Sequence, residues 1–150
     1  MADDSRNCDL APILMMAART QMAAMTARLE TQGFKEITPT LAILLPLVDT
    51  DGTRSGVLAQ RAGVTRQAMS QFVKRLEERG YVEHVADPVE KGAKIIRPTK
   101  RGVALRQACA QVRQDLQKDL LKILGERDLA GLTENLQKLV ASMSPSPFLL

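Results

Sequence analysis

Long aliphatic stretches alternate with short polar punctuation along this chain, and the punctuation sets the elements. From Asp9 to about Gln32, apolar residues recur on nearly every side of a helical wheel: Leu10, Ile13, Leu14, Met15, Met16, Met22, Met25 and Leu29, with alanines between them. Asp9 is placed to cap, Pro12 falls in the first turn where its missing N–H is tolerated, and Gly33 is a stop. A helix that is apolar around most of its girth is covered on more than one side. In a chain of 150 residues the second cover is expected to be another subunit; a central core helix of a monomer is the plainer alternative. Thr38-Pro39 opens a second helix from Leu41 to Val48, which Pro46 shortens or bends. Asp49-Thr50-Asp51-Gly52 is turn chemistry. A short helix from about Arg54 to Ala62 follows, then a break at Gly63 and a longer helix capped by Thr65 and ending at Gly80. Tyr81 to Val85 alternates as a strand, and Ala93 to Arg97 is its return partner across a loop from Asp87 to Gly92. Pro98-Thr99 starts a helix carried by Val103, Leu105, Cys109, Val112, Leu116, Leu120 and Ile123 to about Leu124. Gly125 ends it, and Leu129, Leu132, Leu136, Leu139, Val140 and Met143 mark a last helix before a non-helical tail.

Ser55 to Phe72 is the segment with functional content. Leu58, Ala62, Val64, Met69 and Phe72 are apolar, Ala59 is small enough for two helices to cross closely, and Gly63 supplies the positive φ of a tight turn. This is the pattern of a helix-turn-helix. Val64, Met69, Phe72, Val73 and Leu76 form the core face of its second helix, which leaves Arg66, Gln67, Ser70, Gln71, Lys74 and Glu78 outside. Arg, Gln and Ser near the start of an exposed helix are the side chains that read base edges or hold phosphates in a major groove. An αα-hairpin with a solvated polar face would share the pattern; charge separates the two. Thr53 to Gly102 holds eleven Lys and Arg against five Asp and Glu, a net +6, whereas the remainder carries −2 of the chain's +4. A basic centre with a near-neutral periphery is the footprint of a DNA-facing surface.

A helix-turn-helix followed at once by a two-stranded hairpin is a winged helix-turn-helix. The stretch from Gly56 to Gly80 (Gly-Val-Leu-Ala-Gln-Arg-Ala-Gly-Val-Thr-Arg-Gln-Ala-Met-Ser-Gln-Phe-Val-Lys-Arg-Leu-Glu-Glu-Arg-Gly), then Tyr81 to Pro88, then Arg97-Pro-Thr-Lys-Arg-Gly102, resembles the MarR family of bacterial transcriptional regulators. The likeness extends over about residues 9–143. It implies a mainly α fold with a small β-hairpin wing, in one domain over residues 1–150. Residues 37–98 would be the DNA-binding winged helix-turn-helix, and 9–33 with 99–143 the helical dimerisation part. It also implies a homodimer that binds a pseudo-palindromic double-stranded operator, with half-sites about 34 Å apart, and that acts as a repressor responsive to a small lipophilic effector; the sparse, unpaired cysteines and the acidic start separately suggest a reducing, cytoplasmic setting. Thr65, Arg66, Gln67, Ser70, Gln71 and Lys74 are the expected recognition-helix contacts, and Lys91 and Lys94 the wing contacts. The wing departs from the family pattern of an Asp followed two residues later by a minor-groove Arg: Glu90 stands at the first position and Gly92 at the second. A weaker wing contribution to specificity is therefore expected. The alternative reading is a winged-helix protein-interaction module without operator binding.

The remaining chemistry mostly excludes. Four aromatic residues argue against a ring-stacking platform for single strands. Two cysteines and one histidine are too few for a structural zinc site, and no disulfide framework, catalytic triad or phosphate-cradling glycine loop can be assembled. No enzymatic activity, cofactor or membrane association is expected. No uncharged run is longer than that from Ile37 to Val48, which is too short for a bilayer, and the acidic start is unlike a signal peptide. Cys109 is expected in the core. Cys8 is a weak candidate for peroxide sensing by analogy with one branch of the family, because neighbouring aspartates oppose a thiolate. His84 is expected as an exposed strand residue or, less simply, a phosphate contact. The methionines of the first helix suit either a plain core stripe or an adaptable pocket near Phe34 and Pro46. Phe148-Leu149-Leu150 either tucks against the partner's first helix or is disordered.

Overall fold

A computed structural model describes residues 9–143; Cys8 and the Phe148-Leu149-Leu150 tail lie outside the described residues. The elements are α1 (Leu10–Thr31), α2 (Pro39–Leu44) with a 3-10 turn (Leu45–Leu47), α3 (Ser55–Ala62), α4 (Arg66–Glu78), β1 (Val82–Ala86), β2 (Lys94–Pro98) and α5 (Lys100–Met143). The fold is mainly helical with one antiparallel hairpin, as expected. The first strand begins one residue later than its alternation suggests. Tyr81 is instead a fully buried plug at the root of the hairpin, its ring 6.5 Å from that of Phe34.

Local chemistry accounts for the boundaries. Asp9 accepts from the Ala11 amide at 3.3 Å, and Thr38 Oγ1 accepts from the Leu41 amide at 3.3 Å. Pro46 turns the end of the second helix into a 3-10 turn. Arg61 and Arg106 donate to the carbonyls of Leu47 and Val48 at 2.8 and 2.9 Å, giving the end of that turn its missing partners. The long helix α5 is broken at Gly125, with φ 76° and ψ 167°, a conformation open essentially to glycine.

One core runs through the molecule. Leu29, Leu41, Leu45, Leu58, Leu76, Tyr81, Ile96, Leu105, Cys109 and Val112 are all buried in it. Burial pushes the Cys109 thiol above its ordinary range, which fits a core residue. Phe34 packs on the same cluster. Helix α1 packs against α5, where Arg28 and Asp119 form an ion pair, yet within α1 only Met25 and Leu29 are buried. Among the described residues, no helix is long and apolar enough to cross a membrane.

Candidate nucleic-acid interface

The turn between α3 and α4 is built as its sequence requires. Gly63 closes α3 at φ 63°, and the Val64 amide donates to the Ala59 carbonyl at 3.1 Å. Leu58 and Ala59 are buried against α4, so the small side chain at 59 does sit at the crossing. Thr65 then caps α4, its hydroxyl oxygen accepting from the Ala68 amide at 3.1 Å. Met69, Val73 and Leu76 are buried, while Arg66, Gln67, Ser70, Gln71, Lys74 and Glu78 are exposed. Spacings of three and four residues place those exposed side chains on one face.

Their local bonds limit what each can offer. Ser70 donates its hydroxyl proton to the Arg66 carbonyl at 2.9 Å, so toward a ligand it can only accept. The Thr65 hydroxyl, used as an acceptor in the cap, keeps its proton to donate. Arg66 lies over the first turn of α3 beside Gly56. Lys74 is only loosely tied to Glu78, at 3.9 Å. The first turn of α4 adds backbone N–H groups that have no intrahelical partner.

The hairpin pairs Val82 with Pro98, His84 with Ile96 and Ala86 with Lys94. Sequence patterning missed one feature. Thr53 bridges Ile96 through two backbone hydrogen bonds of 2.8 and 2.9 Å, which makes β2 the middle of three extended segments. Thr53 is itself buried, and its hydroxyl donates to Asp49 at 2.9 Å. At the root, Thr99 Oγ1 donates to the Gly80 carbonyl at 2.6 Å and accepts from the Gly102 amide at 3.1 Å, capping α5. Arg101 lies over the Tyr81 ring, 4.9 Å from its centroid.

At the tip, Lys91 and Lys94 are exposed. Gly92 adopts φ +88° with open space around it. The Asp87 carboxylate accepts from the amides of Val89 and Glu90 at 2.8 and 3.2 Å and from Arg54 Nε at 2.7 Å. These bonds, the Val89 amide first, hold its pKa below the ordinary carboxylate value. His84 does not stand alone on its strand: its Nδ1 lies 2.9 Å from Glu77, whose carboxyl pKa is lowered chiefly by that bond.

The basic centre is thus partly neutralised within the fold. Arg54 is engaged by Asp87 and Glu90, Arg61 by Asp49, and Arg97 by Glu83. Arg66, Lys91 and Lys94 take no part in the ion pairs found among the described residues.

Residues 38–91 match the model of the MarR family. Three solved structures share the architecture. An Escherichia coli MarR mutant complexed with operator DNA matches with a TM-score of 0.73 and 22% identity, over 93% of this chain and 99% of that one. Staphylococcus aureus MepR in complex with DNA gives 0.74 and 20%, over 93% and 100%. Streptococcus pneumoniae FabT in complex with DNA gives 0.75 and 15%, over 89% and 94%. Among curated proteins, the exopolysaccharide II synthesis transcriptional activator ExpG of Rhizobium meliloti is 27% identical over 106 residues, covering 71% of this chain. The chain spans about half the length of that relative, 53% of which is matched.

Proposed function

We propose that this chain, whose residues 38–91 match the MarR family model, is a sequence-specific DNA-binding transcriptional regulator that acts as a homodimer. The observation that carries the reading is the solvent-facing side of α4. Arg66, Gln67, Ser70, Gln71 and Lys74 share one exposed face of a helix whose opposite face is locked into the core by Met69, Val73 and Leu76. A rigidly seated helix presenting amide and guanidinium groups matches the donor and acceptor pattern of a major groove. Thr65, Lys91 and Lys94 extend the contact to phosphate.

Dimerisation is supported by apolar surface that the single chain leaves uncovered. Met16 is 68% exposed and Ile123 75%, and Leu10, Ile13, Leu132 and Met143 are exposed as well. Patches of this kind on otherwise soluble chains mark association surfaces. Residues 9–33 and 99–143 would then form the dimerisation part and 37–98 the reading head. The finer reading is a cytoplasmic repressor released by a small lipophilic ligand. Of the open grooves along α5, the one of about 270 Å³ where Met22 and Met25 face Leu116 and Leu120, rimmed by Gln21, Arg113 and Gln117, offers apolar surface to such a ligand.

The deciding experiment titrates the chain against DNA from upstream of its own coding sequence at several salt concentrations. Specific binding with a steep negative salt slope is expected. Arg66→Ala or Gln67→Ala should each cost about 1–3 kcal/mol and relax specificity, whereas Lys91→Ala should weaken all sequences alike and lower the salt slope by about one. Equal affinity for scrambled DNA would instead favour an architectural or interaction role.

A further inference from the structure

Arg54 is one of the eleven basic residues between Thr53 and Gly102, and its side chain turns to the wing tip. It sits at the N-cap position of α3, next to Thr53, whose backbone is bridged to β2. From that anchored position its guanidinium reaches the wing tip. Nε and Nη2 lie 2.7 and 2.6 Å from one oxygen of Asp87, and Nη1 lies 2.7 Å from Glu90. The Asp87 side chain is only 5% exposed, and its other oxygen holds the Val89 and Glu90 amides. The turn is closed by the Asp87 amide donating to the Ala93 carbonyl at 2.9 Å and the Ala93 amide donating to Glu90 at 3.1 Å.

We infer that Arg54 is a positioning residue for the wing: it clamps the Asp87–Ala93 turn to the start of the helix-turn-helix and offsets one of the two acidic charges there, so that with Lys91 and Lys94 the tip keeps a net positive charge. An isolated surface pair would contribute little. Here one planar fork serves two carboxylates, one of them nearly enclosed, which fixes geometry as well as charge. The tip, with Gly92 where the family pattern places arginine, is thereby held from the protein side. The functional half of this inference rests on the DNA-binding reading; the structural half does not.

The test compares Arg54→Gln, Glu90→Gln and the double variant in the full chain. Amide hydrogen exchange without DNA comes first. In Arg54→Gln, exchange at Val89, Glu90 and Ala93 should quicken while Leu105 and Val112 in the core stay unchanged. On the upstream DNA duplex, Arg54→Gln should bind about tenfold more weakly with an unaltered salt slope, because no phosphate contact is removed. Adding Glu90→Gln should restore most of that loss, since the uncompensated acid causes it. Unchanged exchange at the three wing amides would overturn the clamp. So would a salt slope reduced by about one with no rescue by Glu90→Gln, the signature of a direct phosphate contact. If the unaltered chain bound no DNA, the DNA reading would fail, and the exchange measurement would still decide the clamp.

Discussion

A β-carbon added at Gly102 would lie 1.9 Å from the Tyr81 carbonyl oxygen, backbone that the Thr99 cap holds in place. Gly102→Ala should therefore destabilise the chain by about 3 kcal/mol or more, read from the urea midpoint, by forcing the hairpin root off α5. Asp87 makes a pH prediction. Its folded pKa lies below the ordinary 3.8, so the stability it contributes is fully present above that value and is lost as pH falls through the lower folded one. The carboxyl carbon of Asp87, followed by NMR, should titrate below 3.8 and the Val89 amide should move with it. The Thr-x-x-Gly start of α5 was legible because it combines a capping residue with a glycine at fixed spacing. The partners of Arg54, Arg61 and Arg97 were not. A charge count registers residues in one stretch of chain, but neutralisation depends on side chains meeting across the fold. Gly92 carries a similar lesson. Its φ of +88° means that an arginine placed there would strain the backbone by about 1–3 kcal/mol, so affinity and strain would be confounded. Lys91→Arg poses the minor-groove question without that cost.

At the scale of elements, boundaries were legible where a cap or a glycine marks them: Thr38-Pro39 at the start of α2, Gly63 and Thr65 around the turn, Gly125 in α5; the end of α2 was not, since it falls at Leu44 rather than Val48 where Pro46 tightens the chain into a 3-10 turn. The Thr53 bridge to Ile96 was invisible because one residue of extended chain has no period. The break at Gly125 has a consequence that can be measured. Alanine is excluded from φ 76°, ψ 167°, so Gly125→Ala should drive the two parts of α5 toward one continuous helix. The far-UV helical signal should hold or rise while the segment 126–143 swings away from its place beside 117–121, where Gln117 and Leu121 line a groove with Leu129 and Thr133. In a dimer built on that segment, sedimentation should show association weakened although the helix content is not.

At the scale of the whole molecule, the uncovered apolar side of α1 and of the end of α5 is the feature that a single chain leaves unexplained. Met16→Glu combined with Ile123→Glu should yield a folded monomer by sedimentation equilibrium, since both side chains are exposed and make little of the core. Its affinity for a two-half-site duplex should collapse while non-specific binding persists. The all-round apolar character of α1 was plain in the sequence; what covers it was not, because patterning records the need for burial and not its source. The Thr53 bridge bears on regulation. With β2 hydrogen-bonded on both sides, the wing cannot swing on its own at its base, and the Arg54 clamp restrains the tip. On the DNA-binding reading, α4 and the wing are then expected to keep one fixed relation to each other. If the chain acts as the proposed ligand-responsive dimer, a ligand seated along α5 would change DNA binding through the distance between the two winged units, so labels at position 91 should report altered separation while distances from 91 to α4 within one chain stay constant.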